Sequence, residues 1–186
     1  MRRKDLGETQ IRECVTEALL QLMKEKDYSA ISVGEIAERA GVHRATFYRH
    51  FRSKEDVLRD FLSEIFKAAQ ENKELLHSGF ASFIRPVFEA LYDKKGPILL
   101  LHGAGLSGLF MDALKDYFDF HEEEKEETSN SERYSINVEN KTSGGGLIEK
   151  YSTAYRIGGI YSCLLLWFAH GMRETPEEMT YIAASM

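Results

Sequence analysis

Residues Ser32 to Lys54, SVGEIAERAGVHRATFYRHFRSK, constrain the fold more tightly than any other stretch of the chain. Ser32 followed three residues on by Glu35 predicts a capping box, each side chain satisfying a free backbone N–H at a helix start, so a helix begins near Val33. Ile36, Ala37 and Ala40 form its apolar stripe. Gly41 ends it, because glycine takes the left-handed conformation that lets Val42 turn back into a core. A second short helix then opens near His43 or Arg44, with Ala45, Phe47 and Phe51 as its apolar positions. Two short helices joined by so tight a turn have the spacing of a helix-turn-helix.

The second helix is chemically distinctive. His43, Arg44, Thr46, Tyr48, Arg49 and His50 form its polar set. No acidic residue lies between Ala40 and Lys54, while Arg44, Arg49, Arg52 and Lys54 give a local charge of +4 in a chain whose net charge is −6. A cationic helix tipped with hydrogen-bond donors suits double-stranded DNA, where phosphates supply affinity and base edges in the major groove supply specificity. A solvated basic face on an ordinary helical protein is the bland alternative. It leaves the coincidence of cap, turn glycine and charge run unexplained.

The run ISVGEIAERAGVHRATFYRHFRSKEDVL resembles the DNA-binding domain of the TetR/AcrR family of transcriptional regulators, in which a similar pattern closes with Tyr-x-x-Phe and a lysine at the start of the next helix. Here those residues are Tyr48, Phe51 and Lys54. The resemblance covers about residues 8 to 62, a third of the chain. His43 stands where the family often has serine, and Ala45 where it commonly has glycine. The resemblance implies an all-α protein with an N-terminal three-helix helix-turn-helix DNA-binding domain, residues 1–53. An α-helical ligand-binding and dimerisation domain, residues 54–186, follows. It also implies a palindromic operator bound by a homodimer, with a ligand-responsive repressor as the expected regulator. Base reading falls to His43, Arg44 and Thr46, with Ala45 against a thymine methyl. Tyr48, His50 and Lys54 are assigned to phosphates.

Charge follows this division. Residues 1–60 hold 12 Lys/Arg against 11 Asp/Glu, a net of +1, and the remainder carries −7. The acid lies away from the proposed DNA face. Cys14 and Cys163 fall in separate helical patterns and read as buried thiols of a reducing cytoplasm rather than a disulfide framework. The densest apolar run, Cys163 to Ala169, is far shorter than the ~20 residues of a membrane span. No phosphate loop, serine elbow or metal-ligand spacing is present, so no catalytic residue, cofactor or metal is expected.

In chain order, Met1 to Gly7 is a basic leader, either an arm touching DNA or a frayed terminus. Ile11, Val15, Ala18, Leu19 and Leu22 recur at helical spacing from Thr9 to Lys26, with Thr9 as the cap. Ser53 and Asp56 form a second capping box, opening a helix from Lys54 to about Leu76 that leaves the head for the second domain. Its inward positions are Val57, Leu58, Phe61, Ile65, Phe66 and Ala69. Helices follow near Phe80 to Tyr92, Pro97 to His102 and Leu106 to Phe120. Their aromatic residues are mostly core. Phe83, Phe88, His102, Phe110 and Trp167 are the candidates to line a cavity for a small apolar ligand. Residues 121–146 read as a helix end running into a long mobile loop. Leu147 to Met172 and a helix capped by Thr175-Pro176 complete the chain. The segment LLLWFAHGMRETPEEM resembles, less specifically, family C-termini whose last two helices pair with those of a second subunit. A helical interaction adaptor that no longer reads DNA is the competing function.

Overall fold

The structure, a computed structural model, describes residues 7–71, 80–118 and 145–186. Among them all regular secondary structure is helical, as the sequence predicts. The first helix, α1, spans Glu8–Glu25 and buries Ile11, Val15, Ala18, Leu19, Leu22 and Met23. Gly7, not Thr9, precedes it, and the Gln10 carboxamide accepts the Gly7 N–H at 3.3 Å, which leaves Thr9 inside the first turn. A single 3₁₀ turn, Tyr28–Ala30, leads into α2, Val33–Ala40.

The start of α2 has the expected reciprocal cap. The Glu35 N–H donates to Ser32 Oγ at 3.3 Å and the Ser32 N–H to Glu35 Oε2 at 2.9 Å. At its end Gly41 has φ +70°, and the Val42 and Gly41 N–H groups bond back to Ala37 and Glu38 carbonyls at 2.9 and 3.1 Å. That pair of bonds satisfies two carbonyls the helix would otherwise leave open. Val42 is thereby turned inward, where it is buried. Helix α3, Arg44–His50, begins at once.

Helix α4 spans Lys54–Glu71. Ser53 Oγ accepts the Asp56 N–H at 3.1 Å, but the Asp56 carboxylate takes the N–H of Arg52 at 3.0 Å, so only half of the expected box forms. Val57, Leu58, Ile65, Phe66 and Ala69 are buried as expected, together with Leu62, while Phe61 is only partly covered. The stretch from 72 to Leu76 lies outside the described residues, as do the leader 1–6 and most of the predicted loop.

The body contains α5, Phe80–Asp93, and α6, Lys95–Gly103, followed by α7 at residues 108–118. Two helices follow, α8 at Gly145–Ala169 and α9 at Pro176–Ala184. Gly145 and Gly146 thus belong to α8 rather than to the loop predicted to run to 146. Helix α8 stops at Ala169, three residues before the predicted end, because Gly171 has φ +72° and Met172 donates its N–H back to the Trp167 carbonyl at 2.7 Å. Met172 itself has φ +51°, an uncommon conformation for a side-chain-bearing residue. Its carbonyl accepts the Lys95 ammonium at 2.6 Å, which ties the end of α8 to the start of α6.

Helix α4 joins the two parts physically, packing on α1 toward the head and on α5 toward the body. Helix α9 lies along α5 and is capped as predicted, Thr175 N–H to Glu178 Oε2 at 2.7 Å and Glu178 N–H to Thr175 Oγ1 at 3.2 Å.

Candidate nucleic-acid interface

Phe47 and Phe51, 0% and 2% exposed, anchor α3 with ring centres 5.8 Å apart. Each buried aromatic contributes about 1.5–3 kcal/mol, enough to hold a seven-residue helix that could not persist alone. The opposite face is open. His43, Arg44, Ala45, Tyr48 and Arg49 are exposed, and Thr46 is half-buried. The Arg44 guanidinium lies 5.9 Å from the centre of the Tyr48 ring, a stacking that orients the cation while leaving its N–H donors free. Of the base-reading candidates, His43, Arg44 and Ala45 are thus open to solvent, and Thr46 is only partly so.

Two carboxylates of the head, Glu25 and Glu35, are paired with cations. Arg39 grips Glu25 through two bonds of 2.7 and 2.8 Å, which lowers the Glu25 pKa. The Lys26 ammonium bonds Glu35, and together with the Ser32 backbone and hydroxyl it holds the Glu35 carboxyl at about 2. Arg49 and Arg52, by contrast, are exposed and have no carboxylate partner among the described residues. Together with Arg44 they leave open positive charge along α3 and just beyond its end.

Two of the three phosphate candidates are placed otherwise than expected. The His50 side chain is 7% exposed, its Nδ1 lies 3.8 Å from a Glu8 oxygen, and its Nε2 is buried without a hydrogen-bond partner among the described residues. It is packed behind the helix, facing α1, because residue 50 falls on the same side as the anchoring phenylalanines. Lys54 also points inward. Its ammonium donates to the carbonyls of Tyr28, Ser29 and Ile31. Tyr48 alone of the three is exposed, and Arg49 and Arg52 supply the open cations that the phosphate role needs. Both arginines stood in the sequence's charge run, but neither had a pattern to mark it as the better candidate.

The five cavity candidates also resolve differently. Phe88, Phe110 and Trp167 are fully buried in the body core. Trp167 meets Phe88 edge-on at 5.6 Å, stacks on Tyr92 at 6.0 Å and donates its indole N–H to the Glu174 carbonyl at 3.1 Å. Phe110 packs on Phe168 at 4.9 Å, and Phe83 sits between Tyr117 and Phe118 at 5.1 and 4.8 Å. His102 is half-buried and its Nδ1 is 2.8 Å from Ser107 Oγ. None of the five lines either of two open clefts, of about 610 and 340 Å³. The larger lies between α4 and α7, spanned by an Arg59–Asp112 bond of 2.6 Å. Aromatic side chains at helical spacing here fill space rather than enclose it.

Cys14 and Cys163 are not joined in a disulfide and are only partly buried rather than fully buried as expected, and burial raises the Cys163 pKa, which disfavours its reactive thiolate. The described residues hold no group of three or more His, Cys, Asp or Glu arranged for a metal, and no helix among them is long and apolar enough to cross a membrane.

Residues 15–61 match the family described as bacterial regulatory proteins, tetR family. The HTH-type transcriptional regulator AcrR of Shigella flexneri is 37% identical over 73 residues, covering 39% of this chain and 32% of that protein. The HTH-type regulator YvkB of Bacillus subtilis is 34% identical over 74 residues, 35% of this chain and 39% of that protein. The matched region thus spans well under half the length of the curated relatives. Similarity of fold reaches further. A putative TetR-family regulator from Syntrophomonas wolfei has TM-score 0.62 at 20% identity, over 96% of this chain and 93% of that one.

Proposed function

We propose that this chain, which carries the head of the tetR family of bacterial regulatory proteins at residues 15–61, is a transcriptional regulator that binds a palindromic operator as a homodimer. The observation that carries this reading is the open, acid-free face of α3. His43, Arg44 and Thr46, with Ala45 beside them, read base edges in the major groove, and Tyr48, Arg49 and Arg52 hold phosphates. The division into a head at 1–53 and a body at 54–186 assigns recognition to the first and pairing of subunits to the second.

The body supports pairing through an uncovered apolar face. Tyr151, Tyr155 and Leu166 of α8 are 71, 80 and 62% exposed, and Tyr181 of α9 is 75% exposed. On α8 these residues recur with Gly159 and Ser162 along one side of the helix, which allows a second α8 to approach closely. A contiguous apolar stripe of this kind is costly in water and suits a self-complementary two-fold contact. Seated on DNA in this way, the dimer blocks the duplex it covers, so repression in the cytoplasm is the regulatory outcome we adopt. Among the described residues, none of Phe83, Phe88, His102, Phe110 and Trp167 lines either cleft, so the small apolar ligand expected for the body is left out of the proposal.

Selection of bound sequences from random duplex DNA, followed by a salt series on the winner, tests the function. A palindrome with half-sites one helical turn apart, ~34–36 Å, is expected. Its affinity should fall steeply with salt, by a log–log slope of about −0.9 for each phosphate contacted. An adaptor that has lost DNA reading would enrich no sequence.

A further inference from the structure

The ammonium of Lys54 donates to the carbonyls of Tyr28 at 2.6 Å, Ser29 at 3.2 Å and Ile31 at 2.9 Å, and lies 4.3 Å from the centre of the Tyr28 ring. An ammonium has three N–H donors and no acceptor, so every hydrogen bond it can donate is made within the head. The three carbonyls belong to the 3₁₀ turn and to Ile31, the residue just before the α2 cap, Ser32. Lys54 is the first residue of α4. The segment 32–53, holding α2, its turn and α3, therefore has its two ends fastened together by one side chain.

We propose that Lys54 is a positioning residue for DNA recognition. It closes segment 32–53 into a ring, and so sets the angle at which α3 is presented to the groove without touching DNA itself. The inference rests on the DNA-reading function put forward above. Its mechanism is geometric. Phe47 and Phe51 hold α3 against the core, but both lie on one side of it, and a helix held on one side can still tilt. Fastening the start of α2 to the start of α4 removes that freedom, because α3 is joined to both by short links. Lysine is needed for this, since its three donors radiate from one atom and converge on three carbonyls. The planar guanidinium of arginine, whose donors are spread in a fork, cannot reproduce the arrangement.

A phosphate-binding lysine and a positioning lysine respond differently to substitution. For phosphate binding the charge is what matters, so arginine serves and methionine lowers the salt slope. Lys54→Arg and Lys54→Met are therefore compared for binding to the operator selected by the unaltered protein. Both should lose about tenfold in affinity, the equivalent of one charge-assisted hydrogen bond. Both should keep the salt slope of the unaltered protein, and in the free protein amide exchange should quicken across 33–50 while α8 is unaffected. An arginine variant that binds like the unaltered protein overturns the proposal, as does a methionine variant whose slope falls by about 0.9 per subunit. Unchanged amide exchange in both variants overturns it too. Failure of the unaltered protein to bind any duplex refutes the DNA-reading function alone, because the exchange measurement needs no DNA.

Discussion

Arg44 and Arg49 carry the same charge on the same short helix, yet five residues at 100° each set them about 140° apart around its axis. Arg44 lies in the first turn with its guanidinium over Tyr48, whereas Arg49 lies in the last turn. Arg44→Ala should therefore cost about 1–3 kcal/mol in discrimination between the operator and a base-substituted site, with a smaller loss on unrelated duplex. Arg49→Ala should weaken both by the same factor and flatten the salt slope. Competition binding against the two duplexes measures each effect, and an equal loss on both for Arg44→Ala would remove it from base reading. Glu35 offers a test of the head that needs no DNA. Its pKa is lowered from 4.5 to about 2, first by the Lys26 ammonium and then by Ser32. The folded state thus holds the ionised form more strongly than the unfolded chain does. This contribution is complete above pH 4.5 and is lost as the pH falls from there through 2. Carboxyl NMR titration should find the low value, and Lys26→Met should move it upward toward 4.5.

At the scale of the element, the turn between α2 and α3 depends on one backbone angle. A Cβ built on Gly41 meets nothing within 4 Å, so the cost of Gly41→Ala comes from φ +70° alone. A stability loss of about 1–2 kcal/mol is expected in urea unfolding, with Gly41→Asn milder because asparagine tolerates the left-handed region better. A loss near zero would mean that the turn adopts another path. This turn was legible in the sequence because every determinant of it is local: Ser32, Glu35, Gly41 and Val42 act on neighbours within a few residues. The open face of α3 was legible for the same reason, since Phe47 and Phe51 fix which side faces inward. Lys54 and His50 were not. The carbonyls that take up the lysine lie 23 to 26 residues earlier in the chain, and the glutamate beside His50 stands at the start of α1. No spacing rule reaches that far. The aromatic residues of the body were read mostly as core, but which of them would wall a cavity was not legible, because periodicity identifies the inward side of α5 or α8 without saying whether another helix already fills the space. Phe88 and Trp167 meet each other there.

For the whole molecule, the proposed function requires joining two heads, and the strength of that junction can be tested separately from the quality of each. Leu166, 62% exposed on α8, sits in the stripe that includes Tyr155, and neither contributes to the monomer's buried core. Substituting Leu166→Glu should therefore leave thermal unfolding of the subunit nearly unchanged while placing two carboxylates against each other across the two-fold axis. Sedimentation should show a shift from dimer to monomer. The consequence for DNA follows from linkage of the two heads. In the proposed dimer, binding of one α3 would deliver the other to the adjacent half-site at an effective concentration in the millimolar range, which should raise affinity for the full palindrome by roughly 10²–10⁴ over a single half-site. The monomeric variant has no such gain, so its affinities for half-site and palindrome should converge, with the half-site value close to that of the unaltered protein. Because the substituted residue is remote from α3, an altered half-site affinity would show that the body changes the head itself. If instead Leu166→Glu remained dimeric and kept its preference for the palindrome, the apolar stripe on α8 could not be the junction between subunits.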